Sequence, residues 1–109
     1  MHVLHHLDRI ALDLEATHPA EIPFQDYSDE LQLLFRELLM VGKSGTAAGE
    51  PLRCEVIWSR LVASAERRLD LVLSARHLPD VMERRAVLKQ ATMDLHFIAD
   101  YLCPSQQAS

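Results

Sequence analysis

Residues 80–102 read DVMERRAVLKQATMDLHFIADYL, and within them Leu88, Ala91, Leu95, Ile98 and Leu102 fall at alternating steps of four and three. That spacing is the period of a helix burying one stripe against other helices, and it matches the seam of a bundle. Pro104 ends the pattern, and the tail 104–109 is predicted to be disordered.

On the N-terminal side, Leu78-Pro79-Asp80 makes a tight break. Before it lies a long helix from Pro51, which fits a first turn, to about His77. Its expected buried stripe is Cys54, Ile57, Trp58, Leu61, Ala65, Leu69 and Val72. These two helices form a long antiparallel hairpin, the third and fourth of the chain. Cys54 lies 24 residues before Leu78 and Cys103 lies 24 after Pro79, so the hairpin sets them level. Two small apolar residues at one end of a core is the plainer expectation for this pair, and a disulfide the sharper one.

Further upstream, a first helix is expected over about His2 to Thr17, with Val3, Leu7, Ile10 and Leu14 on one stripe. His18-Pro19 stops it. Pro19 to Tyr27 reads as an extended connection, and Ser28 as the N-cap of a second helix that ends at Gly42. Gly42 to Gly49 then reads as a flexible loop. The fold class is thus all-α: a small antiparallel bundle of about four helices in one domain, residues 1–103. Only three glycines and 6% aromatics argue against an all-β fold.

Chemistry-bearing motifs are scarce. Gly42-Lys43-Ser44 lacks the earlier glycine of a phosphate loop, whose position holds Glu37, and it follows a helix rather than a strand. His2, His5 and His6 cluster at a helix terminus without a carboxylate or thiol at ligand spacing, so a solvated cluster is expected rather than a metal site. His96, flanked by Leu95 and Phe97, is expected to be a hydrogen-bonded helix histidine. No catalytic constellation emerges, and neither an enzyme activity nor a cofactor is expected. A net charge of −5 disfavours nucleic acid as a partner. No signal peptide or membrane span is visible, which makes the cytoplasm the expected location.

The apolar surplus is more informative. In the second helix Leu31, Leu34, Phe35 and Leu38 define one face, while Leu33, Met40 and Val41 project elsewhere. The third helix repeats this with Leu52, Val56 and Ala63 opposite its core stripe, and Leu12 lies opposite the core face of the first. Charge is divided too: residues 1–50 hold nine acids and three bases, residues 51–109 seven acids and eight bases. Arg53, Arg60 and Arg67 recur every seven residues along one helical face. These features predict a partner-binding surface built from Leu33, Met40, Val41, Leu52, Arg53, Val56 and Arg60. The expected occupant is another protein or a second copy of the chain.

In size, acidity and helical content the chain resembles the small bacterial antiactivators, such as those of quorum sensing. The resemblance covers general character over the whole chain and rests on no motif. It implies a non-enzymatic regulator that binds and inhibits a transcription activator. Two other classes share this character: a type III secretion chaperone or immunity protein, and a metal- or redox-sensing bundle.

Overall fold

A computed structural model describes residues 2–47 and 55–102. It contains α1 (His2–Ala16), a short 3-10 turn (Pro19–Glu21), α2 (Phe24–Ala47), α3 (Glu55–Ala75) and α4 (Val81–Leu102). The fold is an all-α bundle.

Cross-helix side-chain pairs establish the directions. His6 meets Glu30 and Asp13 meets Tyr27, so α2 runs antiparallel to α1. Asp8 meets His96 and Glu15 meets Lys89, so α4 is antiparallel to α1 as well. The α3–α4 hairpin completes an up-down-up-down order. α2 and α4, the parallel diagonal pair, pack directly against each other, so the bundle is flattened to 47 × 28 × 17 Å. α4 touches all three other helices and the 3-10 turn.

The core is one cluster. Val3, Leu7, Ile10 and Leu14 of α1 meet Leu31, Leu34, Phe35 and Leu38 of α2. Ala65, Leu69 and Val72 of α3 close against Leu88, Ala91, Leu95, Ile98 and Ala99 of α4. Alanines on both arms of the hairpin let the α3 and α4 backbones approach closely. Thr92, buried in α4, spends its hydroxyl on the Leu88 carbonyl at 2.8 Å.

Three boundaries differ from those expected. The connection after α1 is not extended throughout, since the His18 ring accepts the Ala20 N–H at 3.1 Å and starts a 3-10 turn. α2 begins at Phe24, four residues before Ser28. Pro23 suits the residue just ahead of a helix because no N–H is needed there; its carbonyl accepts from Tyr27 N–H at 3.2 Å. Gln25 then donates to Asp29 one turn on at 2.9 Å. Ser28 is therefore no N-cap but a core position, 1% exposed.

α2 also continues through Gly42 to Ala47 instead of ending at the glycine. Gly42 is buried beneath Trp58 of α3, and that close packing outweighs the roughly 1 kcal/mol a helical glycine costs. At the other end of the hairpin, Asp80 caps α4 by accepting the Met82 N–H at 2.8 Å. Residues 48–54 and 103–109 lie outside the described residues, and with them Cys54, Cys103, Leu52, Arg53, the remainder of the expected loop and the expected tail.

Candidate functional site

Leu33 and Met40 lie seven residues apart on α2, so they share one face two turns apart. Their neighbours Leu31, Leu34 and Leu38 are buried on the opposite face, which turns Leu33 and Met40 outward at 58% and 67% exposure. Val41 sits beside that face at 41%. Arg36 and Glu37, both exposed, separate the two apolar side chains.

On α3, Val56 is 60% exposed, and with Ser59, Arg60 and Ala63 it lines a shallow surface depression. Ile57 belongs to this exposed surface as well, not to the core stripe expected of it. The first turns of α3 are oriented by Trp58, whose indole packs over Gly42 and stacks on Tyr101 of α4 with centroids 6.2 Å apart. Ile57, a ~100° step away around the helix, is thereby turned off the core line. Among the residues expected to form the interface, the described ones therefore occupy two outward faces: Leu33, Met40 and Val41 on α2, and Val56 and Arg60 on α3.

A third apolar surface went unread in the sequence. Met93 and Phe97, one turn apart on α4, are 50% and 55% exposed. Ala11, Thr92 and Met93 border a notch of about 220 Å³ between α1 and α4. Polar pairs flank it, the Glu15–Lys89 ion pair towards one end and Asp8 with His96 towards the other. Leu12 of α1 is 70% exposed. The signal was available: Met93 and Phe97 sit at helical spacing off the Leu88–Leu95–Leu102 seam.

The polar clusters tie helices together. His96 has one ring nitrogen on Asp8 at 3.2 Å and the other on Asp100 at 3.0 Å. With both nitrogens engaged, the ring clamps α1 to α4. Asp94 accepts from Ser64 Oγ and Arg68 Nε, both at 3.2 Å, and so ties α3 to α4. Of the N-terminal histidines, His5 is exposed, whereas His6 faces α2 with Nδ1 3.3 Å from Glu30. No three His, Cys, Asp or Glu side chains converge as a metal-ligand set among the described residues. No helix among those residues is long and apolar enough to cross a membrane. No known protein family, curated protein or solved structure matches this chain.

Proposed function

We propose that the chain is a non-enzymatic regulatory protein that acts by docking onto a protein partner through apolar helical surface. The observation that carries this reading is the outer face of α2, where Leu33 and Met40 stand open although the core beneath them is closed. Burying each of these side chains against a partner contributes about 1.5–3 kcal/mol. Arg60, beside Val56 on α3, adds a guanidinium suited to a partner's carboxylate. The resemblance in size, acidity and helical content to bacterial antiactivators makes a transcription activator the preferred partner, with inhibition as the outcome.

The test is paired. Leu33→Glu and Met40→Glu leave circular dichroism and the melting temperature of the isolated protein unchanged, because both side chains already face solvent. The same substitutions abolish co-purification of the partner that the wild-type chain retains. Light scattering distinguishes a second copy of the chain from a different protein. Loss of helicity in either variant overturns the assignment.

A further inference from the structure

The seam of α4 runs Val81, Arg84, Leu88, Ala91, Leu95, Ile98 and Leu102 at alternating steps of three and four. Every position from Leu88 to Ile98 on it is buried and apolar. Position 84 calls for an apolar side chain that would close the end of the bundle, and an arginine stands there instead. The end remains open as a pocket of about 300 Å³ between the 3-10 turn and the first turn of α4. Arg84 and Arg85 line it together with Ile22, Phe24 and Val81, and no carboxylate does.

Among the described side chains, four basic residues are half-buried: Arg68, Arg84, Arg85 and Lys89. Arg68 is paired with Asp94, and Lys89 with Glu15. Arg84 and Arg85 have no carboxylate within 4.0 Å among the described residues. Arg85 feels Glu15 only at longer range, since that carboxylate is committed to Lys89. Half-buried arginines lay their stems along apolar surface and keep the guanidinium heads accessible, and a guanidinium fork fits the two oxygens of a carboxylate or phosphate. Among the described residues, the half-buried arginines without a carboxylate partner thus converge on one pocket, whose lining also includes Ile22, Phe24 and Val81.

We propose that this pocket binds a small organic oxyanion, its charged group on Arg84 and Arg85 and its apolar part against Ile22, Phe24 and Val81. The site lies apart from the outer face of α2 and does not depend on the docking role. Amide-shift titrations of the ¹⁵N-labelled full chain test it, with hexanoate, inorganic phosphate and hexanol as probes. Hexanoate gives saturable shifts confined to residues 19–24 and 81–88, and hexanol gives none. Inorganic phosphate binds at least several-fold more weakly than hexanoate; equal binding overturns the requirement for an organic ligand. Arg84→Gln with Arg85→Gln weakens hexanoate by about ten-fold or more, the loss of one charge-assisted hydrogen bond. Arg84→Leu, which restores the apolar seam and so protects the fold, also weakens hexanoate, by less than the double change. Arg76→Gln, an exposed arginine elsewhere, leaves it unchanged. Non-saturating shifts, or wild-type affinity in Arg84→Leu, overturn the proposal.

Discussion

Trp58 lies against Gly42 so closely that a β-carbon at position 42 would come within 2.7 Å of the indole Cζ2. The absence of a side chain in α2 therefore lets the half-buried indole of α3 settle on the helix backbone. Gly42→Ala sets two effects against each other. Alanine improves helix propensity by about 1 kcal/mol, whereas forcing a methyl group into occupied space costs about 1–3 kcal/mol. The clash wins because the indole is also stacked on Tyr101 and cannot swing away freely. Gly42→Ala is thus expected to destabilise the wild-type protein by about 1 kcal/mol in urea unfolding and to shift the emission of its single tryptophan. In a Trp58→Leu background the sign reverses, and the alanine stabilises.

That pair also shows where the sequence was legible and where it was not. The seam of α4 and the stripe of α1 are regular repeats, and each predicted its buried residues because burial there follows from helical period alone. Gly42 and Ser28 carry the usual signals of a helix end and a helix start, yet both lie inside α2. Their local preferences are overridden by long-range packing that no window of neighbouring residues contains. Ile57 was misplaced for the same reason, since Trp58 decides how α3 is rotated at its start. The outward faces of α2 and α3 were readable as apolar positions off the core stripe. The arginine pocket was hidden because α4 meets the 3-10 turn only in the folded chain.

Ser28 is the buried side chain whose hydroxyl has no hydrogen-bond partner among the described residues. An unsatisfied buried hydroxyl costs about 1–3 kcal/mol, and alanine is also the better helix former. Ser28→Ala removes one small polar atom and opens little space. It is expected to raise stability by about 1–2 kcal/mol, seen as a higher urea midpoint at unchanged slope. Lower stability would show that the hydroxyl is satisfied in solution.

Asp94 holds the hairpin through two donors on α3, Ser64 and Arg68, and its side chain is only 15% exposed. Arg68 is 42% exposed, so water screens part of its attraction. Asp94→Ala is expected to cost about 1–2 kcal/mol, most of it from the hydrogen bonds rather than the charge. Ser64→Ala and Arg68→Ala should each cost less than Asp94→Ala, and in a double-mutant cycle their effects should vanish in the Asp94→Ala background. Full additivity would mean that the network does not form.

Two tethers on opposite sides of α1 give the stability opposite pH dependences. Glu15 is held below its ordinary 4.5 by its hydrogen bond to Lys89, then by the charge of Lys89, with a smaller contribution from Arg85. A carboxylate lowered in the folded state contributes stability that is present above its unfolded value and is lost as pH falls through the folded one. Tyr27 is raised above its ordinary 10.0, first by burial, then by the charge of Asp13 and the hydrogen bond to it. Its contribution is present below the unfolded value and is lost as pH rises through the folded one. Unfolding free energies of wild type, Glu15→Gln and Tyr27→Phe across the pH range check both. The gap between wild type and Glu15→Gln should narrow below pH 4.5, and the gap to Tyr27→Phe above pH 10.0. Added salt should shrink the Glu15 gap at neutral pH while leaving the Tyr27 gap nearly intact, because the first is an exposed ion pair and the second is a hydrogen bond donated by an uncharged hydroxyl.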